Sequence, residues 1–202
     1  MEISTQDNKN KIPLDVLSAL TEDDKVTQRS LSSKLGIALG LINVYMKRAM
    51  DKGLVKIKHV PKNRYLYYLT PKGFTEKAKL TAEYLKTSLT FYRKARIECD
   101  KIIFNLKKSG LKKVVLSDKN DLAEIFILSA LGTKIKIIGL LGKNEIFFGL
   151  PVFSNFPKSD KVDAVIITSI ENVEQRHTDI SKHIDKNKII IPSFLRNKIG
   201  NI

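Results

Sequence analysis

The stretch Gly36-Ile37-Ala38-Leu39-Gly40-Leu41-Ile42-Asn43-Val44-Tyr45-Met46-Lys47-Arg48-Ala49-Met50-Asp51-Lys52-Gly53 decides how the rest of this 202-residue chain is read. It opens at a glycine turn, has the length of about four helical turns, and closes on a second glycine suited to a left-handed C-cap. Ile42, Met46 and Ala49, with Tyr45 and Met50 beside them, recur at the spacing that lines one side of a helix and packs on a core. Leu39, Gly40, Asn43, Val44 and Lys47 fall on the other side. An ordinary solvated helix needs nothing special there, yet this face offers an amide, a small apolar group and a cation. Those groups suit adenine, the thymine methyl, and guanine or phosphate respectively.

The neighbouring elements choose between these readings. Upstream, Pro13 suits the first turn of a helix through Leu14, Val16, Leu17 and Leu20, which the acidic Glu22-Asp23-Asp24 group ends. The first ten residues are polar and read as frayed. A second helix starts with Thr27 as N-cap and turns Leu31 and Leu35 inward before Gly36 breaks it. Helix, short turn, helix is the helix-turn-helix arrangement, whose second helix enters the major groove. Downstream, Leu54, Val55 and Ile57 alternate with Lys56 and Lys58, Pro61 to Arg64 make a turn, and Tyr65 to Leu69 return as a strand. A hairpin in that position, with Lys58, His59, Lys62, Asn63 and Arg64 around its tip, reads as a wing that touches phosphates or the minor groove. The expected DNA contacts are therefore Thr27, Gln28 and Arg29 at phosphates, Leu39, Gly40, Asn43, Val44 and Lys47 toward bases, and Lys58, Lys62, Asn63 and Arg64 from the wing.

Thr70 and Pro71 then supply the N-cap and first position of a long helix. From Ala78 the steps alternate four and three through Ala82, Leu85, Leu89, Tyr92, Arg96, Cys99, Ile103 and Leu106. Such an alternation over four heptads predicts a coiled-coil seam and hence a homodimer through helix 78–106. Burial of that seam against the chain's own second half is the competing reading. If the helices pair parallel and in register, Cys99 lies on the seam and cross-links under mild oxidation.

Composition bounds the function. The net charge of +15 favours nucleic acid or an anionic membrane surface. Residues 1–112 carry 23 Lys and Arg against 11 Asp and Glu, whereas residues 113–202 carry 13 against 10, so the excess belongs to the first half. No apolar run approaches the ~18 residues of a membrane span, and the N-terminus lacks a signal-peptide pattern, which makes the expected location cytoplasmic. The single cysteine excludes an intramolecular disulfide and a Cys-rich zinc site. His59, His177 and His183 have no metal-ligand spacing, and neither a nucleophile-and-base constellation nor a phosphate-binding P-loop is legible. No cofactor and no enzymatic activity are expected.

After Lys113 the pattern changes. Short apolar runs at Val114–Leu116, Ile135–Leu141, Ala164–Thr168 and Lys188–Ile191 alternate with helical segments at Leu122–Leu128 and Val173–Ile184. Strands alternating with helices predict βαβ units and a parallel sheet of roughly four strands, with any ligand crevice at the carboxyl ends. The predicted architecture is an α+β winged helix-turn-helix (1–70), a long coiled-coil-like helix (71–110), and a small α/β Rossmann-like domain with a parallel sheet (111–202).

Two resemblances sharpen this. Leu35 to Asn43, Lys52 to Lys56, Tyr68 to Ala78 and Leu80 to Leu85 resemble the MarR-type winged-helix regulators associated with exopolysaccharide synthesis, which implies sequence-specific binding of double-stranded DNA as a dimer. The second half is similar to the nucleotide-binding N-terminal domain of sugar acyltransferases at Leu122-Ala123-Glu124-Ile125, Gly149-Leu150-Pro151-Val152 and Thr168-Ser169. It departs from that family in its first loop, Ser117-Asp118-Lys119-Asn120-Asp121, which has no glycine and carries carboxylates where a pyrophosphate would sit. Dinucleotide binding of the usual kind is not expected. Ser117, Asp118, Lys119, Asn120, Thr168 and Ser169 are the candidate residues for another small, nucleotide-like effector. The expected function is a dimeric transcriptional regulator. A nucleotide-sugar enzyme using the winged helix as an adaptor is the alternative, and a sequence-indifferent architectural DNA-binding protein is a third reading.

Overall fold

The computed structural model describes residues 3–22, 26–60, 64–143 and 145–196. The chain divides into two compact units, Met1–Thr90 and Phe91–Ile202.

In the first unit the helices are α1 (Ile3–Glu22), α2 (Gln28–Leu35) and α3 (Leu39–Asp51), followed by strands β1 (Val55–Val60) and β2 (Arg64–Leu69) and the start of α4 (Pro71–Lys108). Helix α1 begins ten residues before the expected start, so Pro13 lies in its interior. A proline ring fixes φ at a helical value and removes one donor, so it marks a permitted start without compelling one. Asp23 and Asp24 lie outside the described residues, as does most of the wing's turn, including Lys62 and Asn63.

Helix α2 starts as expected. Thr27 accepts the Ser30 amide at 3.1 Å while the Ser30 hydroxyl accepts the Thr27 amide at 2.9 Å, a reciprocal box that satisfies two end donors. Gly36 ends the helix at φ 64, and Gly53 takes φ 68 just past α3. Ile42, Met46 and Ala49 of α3 join Leu14, Val16, Leu17, Leu20 and Leu31 in one buried cluster. Strands β1 and β2 pair antiparallel, Val55 opposite Leu69 and His59 opposite Tyr65. At the foot of this hairpin, Thr70 ties three elements together. Its hydroxyl donates to the Gly53 carbonyl at 2.7 Å and accepts the Gly73 amide at 3.1 Å, and its amide donates to the Leu54 carbonyl at 3.0 Å. The end of α3, the root of the wing and the first turn of α4 are held at one point.

The second unit contains β3 (Lys113–Leu116), α5 (Asp121–Ala130), β4 (Lys136–Leu141), β5 (Glu145–Phe147), β6 (Leu150–Phe153), β7 (Ala164–Ile166), α6 (Val173–Ser181), β8 (Ile189–Ile190) and α7 (Ser193–Arg196). They build a six-stranded sheet in the order β5-β6-β4-β3-β7-β8, all parallel except the antiparallel edge strand β5. Numbered among themselves, the five parallel strands run three-two-one-four-five, reversing direction between β3 and β7. The sheet is larger than the four strands expected because the β5–β6 hairpin gives little sequence signal. Its turn is Phe148-Gly149, with φ 51 and 73, where the usual cue is Asn-Gly. Proline in a strand also argues against one, yet Pro151 lies within β6.

The long helix departs from the expected seam. Ala78, Ala82, Leu85, Leu89 and Tyr92 are exposed, but Cys99, Ile103 and Leu106 are buried with Ala95 and Ile102 in the second unit's own core, against Val114, Val115 and Phe126. The uninterrupted partner seam 78–106 is therefore corrected, since a second copy can reach only its N-terminal part in this state. A four-three alternation reports that a face is buried and is silent on what buries it. Cys99 is 1% exposed, which also removes the expected cross-link.

Candidate nucleic-acid interface

Helix α3 presents the two faces that its sequence separates. Ile42 and Met46 are fully buried, while Leu39, Gly40, Asn43, Val44 and Lys47 are all exposed. Val44 is 43% exposed, which for a β-branched side chain on a folded surface leaves a methyl pair free for contact. Gly40 has nothing within 4 Å of the position a Cβ would take, so no packing demand explains it. No ion pair engages Arg29, Lys47 or Lys58 among the described residues.

The other expected contacts divide. Arg29 is exposed at the first turn of α2, where helix amides also point outward. Thr27 has its hydroxyl engaged in the capping box, and Gln28 is half-buried beside Tyr67. Burial pushes the Tyr67 hydroxyl above its ordinary pKa and Tyr65 adds to that, while the nearby Gln28 side chain opposes it. On the wing, Lys58 is exposed, Arg64 begins β2, and Lys62 and Asn63 fall outside the described residues. Lys56 and Tyr68 face each other across the hairpin, on the same side as Lys58 and Leu66. The exposed Lys56 and Tyr68 were not singled out as contacts from the sequence, although the period of two that puts them beside Lys58 was readable there.

These elements stand in the order helix, helix, outward-facing helix, hairpin. Residues 9–56 match the winged helix-turn-helix DNA-binding family. The N-terminal region is a winged helix-turn-helix. No curated protein matches the chain. Among solved structures, the chain is similar to the PcaV transcriptional regulator from Streptomyces coelicolor in complex with its natural ligand, at 23% identity, a TM-score of 0.37 and coverage of 39% of this chain. The similarity spans 57% of that regulator. It is also similar to a MarR-family transcriptional regulator from Rhodococcus sp. RHA1, at 18% identity and a TM-score of 0.39, covering 45% of this chain and 70% of that one. A third likeness is to the S. aureus MepR–DNA complex, at 19% identity and a TM-score of 0.36, covering 42% and 60%. With every one of these scores below 0.5, nothing further rests on them.

In the second unit, the candidate effector residues do come together at the carboxyl ends of β3 and β7, where the strand order reverses. They are bonded mainly to one another. The buried Ser117 hydroxyl accepts the Thr168 amide at 2.9 Å and the Ser169 amide at 3.2 Å. The Thr168 hydroxyl accepts the Asp118 amide and donates to the Asp118 carbonyl, both at 2.9 Å. The Asn120 side-chain amide donates to the Thr168 carbonyl at 2.8 Å, while its oxygen caps α5 by accepting the Ala123 amide at 3.0 Å. Lys119 pairs with Glu145. Arg176 of α6 donates to both Asp118 oxygens, at 2.6 and 3.0 Å, a fork-to-carboxylate pair. The sequence reading missed Arg176, which lies 58 residues from its partner with no local pattern linking them. The carboxylate that argued against a phosphate here is the one that holds this arginine.

Proposed function

We propose that the chain is a DNA-binding transcriptional regulator of the MarR type. The observation that carries the reading is the sorting of α3: Ile42, Met46 and Ala49 buried, with Leu39, Gly40, Asn43, Val44 and Lys47 exposed on a helix flanked by a basic hairpin. In this reading α3 lies in the major groove and Asn43 pairs bidentately with an adenine. Thr27, Gln28 and Arg29 at the α2 N-terminus meet phosphates, with Thr27 also holding that terminus through its capping box. Lys58, with Lys62, Asn63 and Arg64, reaches the backbone from the wing. The match of residues 9–56 to a DNA-binding winged helix-turn-helix family supports the same reading.

Three finer assignments belong with it. The exposed stripe Ala78, Ala82, Leu85, Leu89 and Tyr92 supports a homodimer through the first half of α4, which would set half-site spacing. The strand order three-two-one-four-five supports a Rossmann-like second domain. Ser117, Asp118, Lys119, Asn120, Thr168 and Ser169 would then take a small nucleotide-like effector only after the Asp118–Arg176 pair opens. The same strand order favours the alternative of a nucleotide-sugar enzyme, which predicts turnover without DNA.

Gel-shift titration on promoter and random duplexes at two salt concentrations tests the reading. Wild-type protein should prefer one promoter sequence, and Asn43→Ala should relax the preference at a single base, at a cost of about 1 to 3 kcal/mol. Unchanged operator preference in Asn43→Ala would overturn the docking. Salt-dependent binding that ignores sequence would make the protein architectural.

A further inference from the structure

Residues 113–202 are close to charge balance, but the fold does not leave their charges mixed. In a parallel sheet every strand enters at one edge and leaves at the other, and here the segments entering four of the five parallel strands, β3, β4, β7 and β8, are basic, while β6 is entered from Phe148-Gly149. β3 begins at Lys113, after Lys112, and β4 begins at Lys136, after Lys134. Lys161 lies three residues ahead of β7, and Lys188 directly precedes β8. Register aligns them: Lys113 is the Cα partner of Lys136, Val114 that of Ala164, and Val165 that of Ile189. All six lysines are exposed, and none is in an ion pair among the described residues. The carboxylates of this edge are Asp160, Asp163 and Asp185, with Asp163 near Lys113 and Lys188, so six lysines against three carboxylates leave a net charge of +3. Asp163 accepts the Lys113 and Lys112 amides at 2.7 and 2.8 Å, and Asp185 accepts the Asn187 amide at 3.0 Å. The opposite edge carries Asp118, Asp121, Glu145 and Glu171 together with Lys119, Lys143 and Arg176, of which Lys119 and Arg176 are ion-paired, so its charges are mixed where those of the amino edge are mainly basic.

We infer that the amino edge of this sheet is a second duplex-binding surface, contacting the phosphate backbone without reading bases. Four strands at ~4.8 Å spacing make a cationic line of about 14 Å. A length of about 14 Å of duplex presents roughly eight phosphate charges, so a linear polyanion engages the whole row, whereas a small anion engages one or two lysines. The choice of duplex DNA over other polyanions rests on the DNA-binding reading of the first unit.

The test measures the affinity of the full chain for a random-sequence duplex as a function of potassium chloride. The variant Lys112→Gln, Lys113→Gln, Lys136→Gln, Lys188→Gln should lower the log–log salt slope by about 2 to 4, and arginine at the same four positions should keep it. Circular dichroism melting should be unchanged, and Lys136→Gln with Lys188→Gln alone should give about half the effect. A quadruple glutamine variant with the wild-type slope overturns the inference. So does edge-dependent binding to vesicles containing phosphatidylserine with no change in the duplex slope, which would make this a membrane surface. If Asn43→Ala leaves operator preference intact while the slope falls, the recognition-helix reading fails and the edge stands.

Discussion

Gly73→Ala is the substitution whose outcome the structure fixes most tightly. A Cβ on Gly73 would lie 2.1 Å from the Leu54 carbonyl oxygen and 3.2 Å from Leu69 Cγ. Backbone oxygen in a hydrogen-bonded turn cannot swing aside, so the first turn of α4 must move by more than an ångström. That movement strains the local packing, at about 1 to 3 kcal/mol for overpacking. It also pulls the Gly73 amide from Thr70, and loss of an N-cap costs about 1 kcal/mol. The sum of about 2 to 4 kcal/mol is a large share of the ~5 to 15 kcal/mol that holds a typical domain. Urea denaturation followed by circular dichroism should show it directly. Gly40→Ala is the matched control: nothing crowds its Cβ, and alanine in a helix gains up to about 1 kcal/mol over glycine. The same substitution should destabilise at one position and stabilise at the other. A Gly73→Ala midpoint within experimental error of wild type would refute the claim that this glycine makes room for the Leu54 carbonyl.

The remaining predictions concern single groups. Burial pushes the Cys99 thiol up to about 12, so it stays protonated across neutral pH. Iodoacetamide at pH 8 should label it only on unfolding, as mass spectrometry with and without urea will show. Asp163 has its carboxyl held below the usual range, first by the Lys113 amide and then by the Lys112 amide. Its contribution is present above the unfolded carboxylate pKa and is lost as pH falls through the lower folded value. Asp163→Asn should therefore flatten the acid limb of the pH–stability profile. Arg176→Met removes two charge-assisted hydrogen bonds from a half-buried pair and should cost about 1 to 2 kcal/mol by urea denaturation. Leu85→Glu with Leu89→Glu should lower the dimer fraction in light scattering. An unchanged mass would remove the α4 stripe as the dimer contact.

What was legible in the sequence is what local chemistry determines. Thr27, Gly36, Thr70 and Pro71 mark their helix ends because caps are made within three or four residues of the cap itself. The α3 faces were legible because a period of 3.6 sorts side chains without knowing the partner. Illegible features depend on distant chain. Self-burial was one of two readings open for the α4 stripe and holds for Cys99 to Leu106, whereas the Asp118–Arg176 pair and the lysine row arise only when segments tens of residues apart become neighbours. Net charge by halves pointed away from that row, since a sum conceals any separation of signs within it. The β5–β6 hairpin escaped for a local reason, because Phe148 takes a left-handed turn conformation that bulky residues seldom adopt.

The bonds between the carboxyl ends of β3 and β7 bear on how the second domain would answer a ligand. Under the proposed effector reading, Arg176 would act as a competitor already in place, since it occupies Asp118 before any guest arrives. If opening that fork costs the same ~1 to 2 kcal/mol, the apparent affinity of an entering molecule falls by roughly five- to thirty-fold relative to an unpaired site. A guest that offers the guanidinium a replacement anion recovers part of that loss, and one that does not is turned away. Selectivity at this point would come from displacement of an internal partner, with no vacant, glycine-lined cradle required.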